Sequence, residues 1–106
     1  MARKYLDQTR IAGVQYHEAL FCRDKMQPGC ELRIERDENN KYDPEAVALY
    51  CGEHKVGYIP KGENKLLALL LEQGWGEILE VYVYNVDLEQ HPEHQYTINI
   101  YVKSRE

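Results

Sequence analysis

Two segments near the C-terminus, 77–87 and 95–103, alternate apolar and polar residues with a period of two. In the first, Leu79, Val81 and Val83 share one face, with Tyr82, Tyr84 and Val86 on the other. In the second, Tyr96, Ile98, Ile100 and Val102 lie opposite Thr97, Asn99 and Tyr101. Successive side chains of a strand point to opposite sides of a sheet, so this pattern predicts two half-buried strands. The polar link from Leu88 to His94 joins them as an antiparallel hairpin. The chain is thereby committed to a sheet with one covered face.

The remaining segments fit around that hairpin. Residues 3–10 are mixed and polar and read as a lead-in, and Ile11 to Tyr16 reads as the first strand, with a bulge or close approach at Gly13. His17 to Met26 is open between a short helical turn and an irregular crossing. Gln27-Pro28-Gly29 is a turn signal, and Glu31 to Arg36 alternates as a strand. Ala46 to Cys51 is a covered strand, joined through Gly52 to another at Lys55–Ile59, which Pro60 ends. Asn64 can cap a helix from Lys65 to Gln73, with Gly74 placed for a left-handed stop. Its leucines, at 66, 67, 69, 70 and 71, run almost all round, which predicts deep packing on the sheet. About six strands and one main helix make a mainly β (α+β) chain, a small curled antiparallel sheet or partly open barrel.

Size and composition narrow the function. At 106 residues, 43% of them apolar, the chain is expected to form a single domain over 1–106, with its core at about 10–103. The longest apolar run, Leu66 to Leu71, is far short of a bilayer span, and the N-terminus lacks the apolar centre of a secretion signal. Cys22, Cys30 and Cys51 are odd in number and fit no zinc spacing, so reduced thiols in a cytoplasmic protein are expected. His91 and His94 would need metal ligands from elsewhere, and a solvated turn is the better reading. Neither a nucleophile–base arrangement nor a phosphate-cradling glycine loop is present, so no enzyme and no cofactor is expected. A net charge of −5 argues against coating nucleic acid by bulk attraction. It leaves room for a small site where a few local cations grip one strand end.

The segment between the strands at Glu31 and Ala46 is the place to look for such a site. Asp37 to Glu45 is long for a hairpin turn and carries two amides, a phenol, carboxylates and a cation. Asn39 and Asn40 tolerate left-handed backbone angles, and Asp43-Pro44 favours a turn opening. Its sequence, Arg36-Asp-Glu-Asn39-Asn40-Lys-Tyr42-Asp43-Pro-Glu-Ala46-Val, resembles the central motif of the HIRAN domain family. Ile11-Ala-Gly13-Val-Gln-Tyr16 is similar to the family's opening strand, and Lys55-Val-Gly57-Tyr58-Ile-Pro60-Lys61 to its Val-Gly-aromatic-Ile-Pro-basic strand end. Asn64 to Gly74 resembles its Leu-rich helix, so the landmarks run in family order over about residues 10–103.

The resemblance implies an OB-like antiparallel barrel of about six strands and a non-catalytic DNA-binding module that recognises 3′-hydroxyl ends of single-stranded DNA in repair or replication. It implies that Tyr16 and Tyr96 hold a terminal base, and that Tyr42 and Asp43 contact the end nucleotide. Asp43 would accept from the 3′-hydroxyl. Nine of 106 residues are tyrosine, against one Phe and one Trp, and most of them are expected to be structural. Arg36, Asn39, Asn40, Tyr58 and Lys61 complete the candidate site. Arg36 either binds phosphate or braces the loop, and Tyr58 leans towards structure because the family often has His there. Gln15 stands where DNA-binding relatives carry Arg. The expected partners are a single-stranded 3′ end and a helicase or nuclease protein, with no membrane. The alternative is a protein–protein or small-nucleotide module on the same fold that has lost DNA affinity.

Overall fold

The computed structural model describes residues 3–104. Six strands and one helix follow in order: β1 (Arg3–Arg10), β2 (Glu31–Arg36), β3 (Val47–Cys51), β4 (His54–Tyr58), α1 (Lys65–Glu72), β5 (Leu79–Val86) and β6 (Tyr96–Lys103). All pairings are antiparallel, in the order β1-β6-β5-β2-β3-β4. Strand β2 joins the two halves of the sheet. Its first residues pair with β5 and its last four with β3. The sheet curls until the chain leaving β1 meets β4, where Ala12 and Tyr58 exchange both backbone hydrogen bonds, at 2.8 and 2.9 Å. The result is an OB-like barrel that this single bridge brings almost to closure.

The β5–β6 hairpin carries the alternation read from the sequence. Leu79, Val81 and Val83 meet Ile98, Ile100 and Tyr96 in the core, with Leu49, Val56, Ile59 and Met26 from the other strands and loops. The first strand departs from expectation: it is residues 3–10, and only Ile11 and Ala12 of the expected 11–16 strand are extended enough to bond neighbours. Strand β1 was invisible to periodicity because it buries almost nothing. Backbone pairing with β6 and cross-strand side-chain pairs hold it instead. Gly13, at φ 71°, then turns the chain into a 3₁₀ turn at Val14–Tyr16, and a second such turn covers Ala19–Cys22.

Helix α1 also differs from expectation. Leu67 and Ala68 are buried and Leu70 and Leu71 partly so, but Leu66 and Leu69 are each 53% exposed. Eight residues lying on a sheet can bury one stripe only, and positions three apart share the outer face. Among the described residues no helix is long and apolar enough to cross a membrane.

Candidate nucleic-acid interface

The loop from Asp37 to Glu45 is rigid by construction. The Asn40 side-chain oxygen accepts from the backbone N–H groups of Tyr42 and Asp43, at 2.8 and 3.0 Å, an Asx-type turn that fixes the Tyr42-Asp43 step. The Asn40 amide donates in turn to Asp37. One oxygen of Asp43 accepts from the Glu45 N–H at 2.9 Å, and the other from the amide of Asn64 at 2.8 Å. Asn64 is 1% exposed. The sequence reading made it the helix cap, yet its side chain caps nothing in α1 and reaches back to the loop instead. The helix start and the loop are thus tied through one buried amide.

Arg36 ties the loop to the end of α1. Its guanidinium donates to the carbonyls of Ala46 and Pro44, at 2.7 and 2.9 Å, and pairs with Glu72 at 3.3 Å. Its two terminal nitrogens make all three bonds, spanning the loop and α1, while Nε is buried with no partner among the described residues. Lys61 donates to the Tyr42 carbonyl at 3.0 Å with its ammonium exposed, so further N–H groups stay available to solvent or ligand. Asn39 is exposed on the loop.

Behind the loop lies a second network. Tyr58 donates its hydroxyl to Asp37 and accepts from Lys55 at 3.1 Å. That hydroxyl, against a smaller opposing effect of burial and with help from Asn40 and Lys55, holds the Asp37 carboxyl below the usual range. The Tyr58 ring leans on His17, with centroids 5.3 Å apart. Burial and the positive charge of Lys55 lower the His17 pKa, favouring the neutral imidazole. Tyr58 thus links the loop at Asp37 to the turn at His17.

Tyr16 stands beside His17 at the end of its 3₁₀ turn and is 78% exposed; Tyr42, on the loop, is 84% exposed. These are two rigid plates with open faces on supported backbone. The Tyr16 turn is held from its other side by Glu93, which pairs with Arg10 at 2.8 Å and accepts the Gly13 N–H at 2.8 Å. Burial acts to raise the Glu93 pKa, but the Gly13 amide, Arg10 and Gln15 outweigh it and the carboxyl sits low. Glu93 itself sits in a 3₁₀ turn at Pro92–His94 that His91 caps, accepting from the Glu93 N–H.

Tyr96 requires a correction. It is 2% exposed, packed with the core of the barrel and with only an edge on the floor of a cleft beside Gln15, Leu20, Arg23 and Pro92. A buried ring has no face to offer a base. The strand-end position suggested a rim residue, but Tyr96 occupies the inward register of Ile98 and Ile100. Sequence reasoning also passed over Asp37, Asn64 and Glu93. Of these only Asp37 carried a signal, as part of the Arg-acid step of the loop motif. The three cysteines are free thiols; burial and the neighbouring Cys51 push Cys22 up to about 11, which suits packing and not reactivity.

Comparison with known proteins finds the same fold. The crystal structure of a protein from Lactobacillus plantarum superposes with a TM-score of 0.77 over 95% of both chains, at 23% identity. The crystal structure of the HIRAN domain of human HLTF does so with a TM-score of 0.62, over 96% of this chain and 81% of that one, at 17% identity. A Fanconi-associated nuclease 1 homolog from Oryza sativa subsp. japonica is 36% identical over 73 residues, which are 65% of this chain and 7% of that protein. The chain thus spans a small fraction of that curated relative. The sequence pattern of the HIRAN domain matches residues 6–105, and this chain belongs to the HIRAN domain family.

Proposed function

We propose that this protein is a non-catalytic module that grips the 3′-hydroxyl end of single-stranded DNA. HIRAN domains are DNA-binding modules, and the observation that supports the finer reading is the braced Asp43 next to exposed Tyr42 in the loop, with Tyr16 equally exposed on the turn before His17, whose ring packs on Tyr58. Tyr42 takes the stacking role expected of Tyr96. Each Asp43 oxygen holds one donor and keeps a lone pair, so the carboxylate can accept a 3′-hydroxyl proton. A 3′-phosphate offers no such donor and is repelled by the same charge. Asn40 sets the Tyr42-Asp43 step, and Lys61 is placed to meet the last phosphate. Base–aromatic stacking contributes roughly 1–3 kcal/mol per base and tolerates any base, so two plates anchor an end without a basic surface. A helicase or nuclease acting on such ends is the fitting partner protein.

The test is fluorescence anisotropy with short strands ending in 3′-hydroxyl or 3′-phosphate. The hydroxyl end should bind more tightly, with little dependence on sequence and a shallow salt slope of about one to three phosphates. Asp43→Ala should remove the preference between ends, while Tyr16→Ala and Tyr42→Ala should weaken both strands about tenfold. Equal affinity for the two ends in the unaltered protein defeats the end-recognition role. A second reading, a protein or small-nucleotide module without DNA affinity, draws on the net charge of −5 and on Gln15, which hydrogen-bonds Glu93 where relatives offer Arg. Absence of binding to either strand at low salt would favour it.

A further inference from the structure

Strand β1 stands at one end of the sheet order and pairs with β6 alone. Its residues from Arg3 to Gln8 are all exposed. The Ile11 N–H donates to the Tyr96 carbonyl, and the alternation of an antiparallel ladder then turns the peptide groups of Thr9 and Asp7 towards β6 and those of Gln8 away from it. The outward Gln8 N–H accordingly donates to the Asp7 carboxylate, at 2.8 Å, and not to a strand. A bulge at Leu6 shifts the alternation by one residue, so that Lys4 faces β6 while Arg3 and Tyr5 face outward. Asp7, opposite Ile100, and Lys4, opposite Val102, carry their side chains on the core side of the sheet. On that side a groove of about 100 Å³ runs between β1 and α1. Leu6, Leu66, Leu67 and Ile100 line it with two carboxylates, Asp7 and Glu63, and no cation is among its lining residues.

We propose that this edge pairs with the same edge of a second copy of the chain, joining two sheets about a two-fold axis. Charges on an edge strand ordinarily keep copies apart. Here the spacing of Lys4 and Asp7 makes the edge its own complement. Antiparallel pairing with the axis between Tyr5 and Leu6 sets Arg3 of one copy opposite Gln8 of the other, and Lys4 opposite Asp7. Each pair occurs twice by symmetry. Arg3 and Gln8 both turn their peptide groups outward, so they form the hydrogen-bonded pair, and the Gln8 N–H passes from the Asp7 carboxylate to the Arg3 carbonyl. Lys4 and Asp7 form the closer, non-hydrogen-bonded pair on the core side, where unlike charges attract. The Lys4 ammonium is thereby brought to the end of the groove held by Asp7 and Glu63 and supplies the cation that its lining lacks. The neighbouring registers that also align outward peptide groups set Lys4 against Lys4 or Arg3 against Arg10. Charge therefore favours one register. A foreign strand would have to repeat the same spacing of cation and carboxylate, which a second copy carries by identity.

Sedimentation equilibrium of the unaltered protein should show a concentration-dependent dimer of twice the 12.5 kDa chain. Lys4→Glu and Asp7→Lys each oppose like charges twice per dimer, so each should weaken association about tenfold or more. Mixed in equal amounts, the two variants should associate with each other as strongly as the unaltered protein does with itself, because every opposed pair across the axis again carries unlike charges. Gln8→Pro removes an outward N–H and no backbone bond to β6, and it should be monomeric at the same concentrations. All three positions are exposed, so the far-ultraviolet spectrum should be unchanged. A monomer up to millimolar concentration overturns the proposal. So do single variants that associate as the unaltered protein does, or a mixture that stays as weak as its components.

Discussion

Asn64 shows how much of the Asp43 loop is held from beneath by a group buried away from the surface. Asn64 sits at the start of α1, where an amide would ordinarily accept from a helix N–H, and instead donates across to the Asp43 carboxylate. A buried hydrogen bond to a charged group is worth more than its neutral counterpart, and removing one partner strands the other. Asn64→Ala is therefore expected to cost about 1–3 kcal/mol of unfolding free energy in urea titration. Asp43→Ala should cost a similar amount, and the double variant less than the two summed, because the second change removes a bond already lost. Strict additivity would mean that the pair does not brace the loop. At this scale the sequence disclosed which residue types gather in the loop, since amides beside an Asp-Pro step have a known local chemistry. It could not disclose Asn64, because a residue 21 positions away reaches Asp43 only through the fold; the burial of Tyr96 was legible, because period-two spacing puts it on the face of Ile98 and Ile100.

The elements divide along the same line. The β5–β6 hairpin, β2, β3 and α1 announce themselves through apolar spacing, whereas β1 has no apolar face and is created by the open edge of β6 that it covers. The seam between β1 and β4 rests on Gly57. A β-carbon there would stand 2.4 Å from the Ile11 methyl and 2.6 Å from the Ala12 carbonyl oxygen, and φ is 155°. The methyl belongs to a fully buried side chain, and the carbonyl is the acceptor in the bridge to Tyr58, so neither can yield cheaply. This is the physical meaning of glycine before the aromatic in the Val-Gly-Tyr-Ile-Pro strand end. Gly57→Ala is expected to cost about 2–4 kcal/mol, the range of overpacking with backbone displacement. It should also speed hydrogen exchange at the Ala12 and Tyr58 amides more than at Val81 or Ile98. Uniform acceleration across all four would place the damage in the whole barrel and not at its seam.

For the whole molecule, acid is the condition that should loosen the site. Asp37 and Glu93 have folded-state pKa values below their unfolded ones. The causes are hydrogen bonds and cations that favour the charged form: Tyr58, Asn40 and Lys55 for Asp37, and Gly13, Arg10 and Gln15 for Glu93. The unfolded chain then binds protons more readily, so these groups contribute stability that is complete above the unfolded values, at about 4. It is lost as pH falls through the folded ones. His17 acts in the same direction from a higher starting point. Its folded pKa is lowered by burial and by Lys55, so its share is full above about 6.5 and declines as the imidazole is forced to charge. Urea midpoints measured from pH 8 to pH 2.5 should therefore fall in two stages, one below about 6.5 and one below about 4. His17→Gln should flatten the first stage. Asp37→Asn and Glu93→Gln should lower the midpoint at pH 7 and converge on the unaltered protein at the acid end, where the native carboxyls have lost their charge. The groups that titrate are those behind Tyr16, Tyr58 and the Asp43 loop, so strand binding should weaken on the acid side before the tryptophan and far-ultraviolet signals of the barrel change. If the three variants kept their separation from the unaltered protein down to pH 2.5, these residues would be holding the fold by shape and not by charge.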